Sequence, residues 1–266
     1  SPIEIYRSAE FDRDWNTRNK GFTGQQLSTS LATTIEHRKK GNIGLEATRY
    51  AIGGDYLGKK AVFAGKWKSH GVDADWTSSY LESQTKQATN SYIRHKATIT
   101  KQLGKLKIGY KDDQEDNRFS TATLFNPASY SFFDYQVFLA NADSSRLNYK
   151  LFYQERYDKR SDSSRLTPVA KARTFGSEIS FLSQKNQRLN FILNYRELVI
   201  SNAKLINQTP ENTLLGRLDY DLNVWKGAFT WNSFYELGSG LELKKEFLYI
   251  KVNDGQGVYT WIDYNQ

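Results

Sequence analysis

The stretch Leu147-Asn148-Tyr149-Lys150-Leu151-Phe152-Tyr153-Gln154 decides the fold. Leu147, Tyr149, Leu151 and Tyr153 alternate with Asn148, Lys150, Phe152 and Gln154. Successive side chains of a β-strand point to opposite faces, so this alternation lays an apolar stripe along one side. The pattern recurs. Leu189, Phe191, Leu193 and Tyr195 alternate with Asn190, Ile192, Asn194 and Arg196, and Leu218, Tyr220, Leu222 and Val224 alternate with Asp219, Asp221, Asn223 and Trp225. Upstream, Leu106, Ile108 and Tyr110 and then Ala61, Phe63, Gly65 and Trp67 behave likewise.

Turn formers separate the runs: Gly53-Gly54-Asp55, His70-Gly71, Asn141 to Ser145 and Lys185-Asn186-Gln187. Their spacing, often roughly fifteen to twenty residues, predicts strands longer than the usual five or six. Parallel strands would require helical crossovers, and no helix-period pattern of that length recurs. The sequence therefore predicts an all-β antiparallel meander of long amphipathic strands. Such strands suit an extended sheet, a sandwich or a groove; the alternative is an up-and-down barrel with its apolar stripes in lipid. Lys and Glu in Gly41–Arg49 and Trp76–Lys86 count against lipid-facing stripes, which favours the first group. The acidic run Asp112 to Asn117 reads as a solvated hairpin tip, and 118–135 and 158–174 read as longer polar connections. Residues 1–40 form an irregular N-terminal segment in which Phe11 and Trp15, four apart, fit a short helix. The period-two signal begins near Leu27, and the β domain is set at 41–266.

Composition narrows the chemistry. Aromatics make up 14% of the 266 residues, too many for a disordered chain. Cysteine is absent, which excludes disulfides and thiolate chemistry and fits an extracytoplasmic, oxidising compartment. Methionine is absent as well, which carries the expectation of a piece of a longer protein. The net charge of +8 favours acidic partners such as anionic glycans or lipid head groups; the charge is spread along the chain, which disfavours nucleic acid. The densest basic cluster is His37-Arg38-Lys39-Lys40.

Site signals are sparse. His37, His70 and His95 have no metal-ligand spacing, and no nucleophile elbow occurs. Asp73 and Asp75 share a strand face and supply the carboxylate pair that a glycan-active enzyme would need, with Glu178, Glu197, Asp219 and Glu236 as further carboxylates. Trp67, Trp76, Trp231 and Trp261 are candidate stacking platforms for a sugar ligand. Asp263 and Asn265 match the first two positions of a calcium loop; no other cofactor is expected. The leading function is a non-catalytic structural or binding segment, the alternative a part of an outer-membrane barrel or envelope transport machine, and an enzyme ranks last.

The terminal stretch Phe247 to Gln266, with Gly216-Arg217-Leu218-Asp219-Tyr220 and Phe234 to Gly240, resembles a segment of large β-rich cell-surface and outer-membrane proteins of Bacteroidota. Glu10 to Asn16 is similar to the same family. The resemblance implies a cell-surface or outer-membrane location in a Gram-negative bacterium, a longer parent chain whose other parts are partners, and no activity.

Overall fold

A computed structural model describes residues 9–17, 24–121, 124–125, 127–141, 146–162, 165–183 and 186–239. One short helix, α1 (Ala9–Asp14), precedes the strands β1 (Gln26–His37), β2 (Gly41–Ile52), β3 (Tyr56–Ser69), β4 (Val72–Thr85), β5 (Thr89–Leu103) and β6 (Leu106–Thr121). A two-residue strand, β7 (Leu124–Phe125), is followed by β8 (Tyr130–Asn141), β9 (Leu147–Asp162), β10 (Arg165–Ser183), β11 (Gln187–Ile200), β12 (Glu211–Val224) and β13 (Phe229–Ser239).

All strands belong to one antiparallel sheet. Twelve pair in chain order from β1 to β13, while β7 adds only to β6. Among the described residues β1 and β13 form the two edges and do not pair with each other. This is the predicted meander, in its extended, open form.

The turn chemistry was partly visible beforehand. His70 (φ 51°) and Gly71 (φ 72°) both occupy the left-handed region, which matches the twist of a tight hairpin between β3 and β4. Other expectations are corrected. The sheet begins at Gln26, so β1 lies inside the segment read as irregular up to residue 40. The acidic run is the middle of β6, not a tip, because cross-strand cations neutralise it: Lys96 pairs with Asp113 at 2.9 Å and Arg94 with Glu115 at 3.4 Å. Residues 158–174 are mostly the ends of β9 and β10, and β6 and β8 take both ends of 118–135. Apolar and polar residues fall on both faces there, so period two leaves little trace in hydropathy.

The fully buried core is small. Trp15, Tyr50, Ile52, Tyr56, Leu81 and Tyr92 make one cluster, with Phe11 packed against it; Val169, Ala170, Ala172 and Leu198 make another. The first binds α1 to the sheet. Trp15 lies 5.2 Å from the Tyr50 ring on β2, while the next residue, Asn16, donates to Asn117 on β6 at 3.2 Å. Across a flat sheet those strands would be about 19 Å apart, four spacings of about 4.8 Å. Consecutive residues touch both, so the sheet curves around α1.

Candidate functional site

The register sorts every strand into two faces. Directly paired residues share a face, so the row Leu31–Ala47–Ala61–Tyr80–Ile93 fixes the apolar side of β1 to β5. Leu139–Leu151–Ser177–Leu193–Gly216–Leu237 does the same for β8 to β13. Stretches of seven to nine residues on most strands, for example Ala61–Trp67, Leu147–Tyr153 and Leu214–Leu222, present no Asp, Glu, Lys or Arg to this face. They span about 20–27 Å along the strand at 3.4 Å per residue. Among the described residues no second layer covers the face: Leu31 is 79% exposed, Phe175 55% and Trp231 56%. Soluble monomers rarely leave a contiguous apolar patch beyond a few hundred Å².

The band has a defined border. Tyr110, Tyr135, Tyr153 and Phe175 form a chain of rings across β6, β8, β9 and β10, with successive centroids 6.4, 6.4 and 4.9 Å apart. One alternation further, the same face carries Asp112, Glu155, Arg173 and Glu197. Tyr135 donates its hydroxyl to Glu155 at 2.6 Å, and Arg173 reaches both Glu155 (3.2 Å) and Glu197 (3.4 Å). Rings with an apolar body and a hydroxyl aimed at a charged row suit a boundary between hydrocarbon and water.

This geometry removes the objection raised by Lys and Glu in 41–49 and 76–86. Glu46 falls on the opposite face, and Arg49 and Glu82 lie on the apolar side but past Ala47 and Tyr80, beyond the band. One histidine lies within it. His95 sits between Ile93 and Ala97, its Nδ1 2.7 Å from the Ser78 hydroxyl and its Nε2 3.2 Å from Asp112. The contacts satisfy the imidazole.

The opposite face is polar and laced with ion pairs: Lys66–Asp75 and Lys68–Asp73 at 3.3 Å, Lys150–Glu178 at 3.2 Å, Arg188–Asp221 at 2.6 Å. Asp73 and Asp75 thus share a face as expected, each held by its own lysine. At one end α1 docks onto this face. Asp14 pairs with Arg94 and with Lys60 (2.9 Å), Arg13 pairs with Glu115, and the Tyr56 hydroxyl donates to the Trp15 carbonyl at 2.6 Å. Burial opposes the Arg13 charge, yet the Glu115 carboxylate and the Tyr92 and Tyr130 hydroxyls together outweigh it and hold the guanidinium pKa above its ordinary value. The Phe11–Trp15 spacing announced the helix; its polar partners had no local signal.

Of the candidate platforms, Trp67 and Trp76 lie on adjacent strands of the apolar face, Trp76 beside Phe63 at 5.8 Å. Trp231 is on the edge strand β13, so the three share no platform. Trp261, Asp263 and Asn265 lie outside the described residues.

Three solved structures are weakly similar to this chain. The siderophore receptor PiuA from Acinetobacter baumannii is 9% identical, with TM-score 0.43, over 82% of this chain and 44% of that one. The translocator domain of autotransporter NalP from Neisseria meningitidis is 14% identical, with TM-score 0.29, over 85% of this chain and 86% of that one. LpxR from Salmonella typhimurium is 8% identical, with TM-score 0.25, over 71% and 89%. The chain spans less than half the length of the siderophore receptor it matches. No protein-family model and no curated protein matches the chain.

Proposed function

We propose that this chain forms part of the wall of an outer-membrane β-barrel, with the apolar face in lipid and the ion-paired face lining a polar lumen. The observation that carries the reading is the uncovered apolar band, free of formal charge and ending at an aromatic row backed by charges. A band about 25 Å tall flanked by aromatic girdles is what a bilayer requires of a barrel exterior. The mixed charges of the inner face suit a scaffold or conduit for polar solutes.

Connection lengths orient the wall. The turns joining β1–β2, β3–β4, β5–β6, β8–β9, β10–β11 and β12–β13 are short, the longest running from Asn141 to Leu147. The opposite end holds the longest connections, between Thr121 and Tyr130 and between Ile200 and Glu211. Barrels of this class keep short turns on the periplasmic side and long loops outside. In lipid the free edges of β1 and β13 each take a further strand as partner, since unpaired backbone groups are not tolerated there. The resemblance of residues 216–266 to large Bacteroidota envelope proteins supports the same location.

Sedimentation with far-ultraviolet circular dichroism tests the reading. The purified chain is expected to aggregate in plain buffer and to become a β-rich, monodisperse species in detergent. A soluble β-rich monomer in plain buffer would overturn it.

A further inference from the structure

The short-turn end carries an unneutralised basic site. Arg38, Lys39 and Lys40 are all exposed in the β1–β2 turn, and among the described residues no carboxylate lies within ion-pair distance of any of them. They border a depression of about 440 Å³ that Lys66, Lys68, Asp73 and Asp75 also line. Those two aspartates are already engaged by Lys66 and Lys68, both at 3.3 Å, so the depression keeps a surplus of three positive charges.

The turn is pinned in place. Lys68 N–H donates to the Lys40 carbonyl at 2.7 Å, and Lys40 N–H donates to the His37 carbonyl at 3.0 Å. Gly41 (φ +125°) brings the chain so near β3 that a Cβ there would stand 2.0 Å from the Lys66 carbonyl oxygen. The depression itself opens on the polar face, but the turn also adjoins the apolar band. Trp67 lies at the band's short-turn edge on the apolar face, and the Lys40 ammonium sits 5.6 Å from its ring centroid. One cation above an aromatic ring at the rim of an apolar surface, with two more in the same backbone-pinned turn, complements a ligand with a phosphate head and hydrocarbon tails.

We infer that the β1–β2 turn, with Trp67 beneath it, binds the phosphate of an anionic phospholipid headgroup. Its placement on the periplasmic-side leaflet rests on the barrel-wall reading; the charge complementarity does not. Phosphatidylglycerol keeps its negative charge, whereas the choline of phosphatidylcholine cancels it and meets the cations unfavourably.

The test is calorimetric titration of the full chain in non-ionic detergent with dihexanoyl phosphatidylglycerol, dihexanoyl phosphatidylcholine and inorganic phosphate. Phosphatidylglycerol is expected to bind at least tenfold tighter than the other two. Arg38→Gln, Lys39→Gln and Lys40→Gln together should abolish the preference, at roughly fivefold per charge removed. Lys59→Gln, on the same sheet beyond the opposite edge of the band, should leave it intact. Equal affinity for the two lipids, a preference that survives the triple substitution, or phosphate binding as tightly as phosphatidylglycerol would each overturn the site. A chain that needs detergent but shows no preference would lose this site and keep the barrel wall. A chain that proves soluble and still prefers phosphatidylglycerol would do the reverse.

Discussion

Leu193→Arg is expected to destabilise the protein in bilayers by about 2–4 kcal/mol, while Ile192→Arg next to it changes stability by under about 1 kcal/mol. The two residues are neighbours on β11, both aliphatic and both partly exposed, at 36% and 40%. They differ in face. Leu193 pairs with Ser177 and Gly216 in the middle of the apolar band, whereas Ile192 pairs with Glu178 and Arg217 among the charges of the polar face. In the proposed barrel wall a guanidinium at position 193 would enter hydrocarbon with no acceptor nearby. At position 192 it meets Glu178 and water. Folding into vesicles, followed by denaturant titration of each variant, reads the difference. Were the faces reversed, or the apolar face packed against a soluble partner domain, the order of effects would invert or the gap would close. Equal costs for the two variants would therefore sink the lipid-facing assignment even if the chain proved to need detergent.

Part of this was legible in the residues alone. Period two in 147–154, 189–196 and 218–225 placed β9, β11 and β12 and fixed the antiparallel class, because only a strand alternates its side chains so strictly. What hydropathy could not show was the pairing. Asp112 to Asn117 looks like a loop until Lys96, Arg94 and His95 on β5 are set opposite it, and the register that does so is a non-local fact. The evidence for weighing a soluble scaffold against a barrel wall was hidden for the same reason. Glu46, Arg49 and Glu82 seemed to break the lipid stripe, yet one lies on the other face and two lie past the band's end, and face and depth follow only from the order of all twelve strands. The aromatic row was equally hidden: Tyr110, Tyr135, Tyr153 and Phe175 are far apart in the chain and meet only across four strands.

Glu115→Ala is expected to cost about 3–5 kcal/mol, the range for removing one partner of a buried charge group. The Glu115 side chain is 2% exposed and accepts from the Tyr92 hydroxyl at 3.0 Å and the Tyr130 hydroxyl at 2.8 Å, with Arg13 and Arg94 supplying the countercharge. The partners do not weigh equally. Arg13 is about half exposed, at 47%, so water screens most of its share. Arg94 is only 19% exposed, and the two phenols would lose their acceptor behind α1. Most of the cost therefore falls on the sheet itself, and a smaller part on docking of the helix. Two measurements separate them. Denaturant unfolding in micelles gives the total. Acrylamide quenching of Trp15, taken as the difference from a Trp15→Phe background, reports whether α1 has left the inner face, since that ring is 6% exposed when docked. A full loss of stability with Trp15 still shielded would show that the ring, not the charges, anchors the helix. A cost below about 1 kcal/mol would mean that the carboxylate is hydrated and that the inner face of β5 and β6 is open to water down to its base.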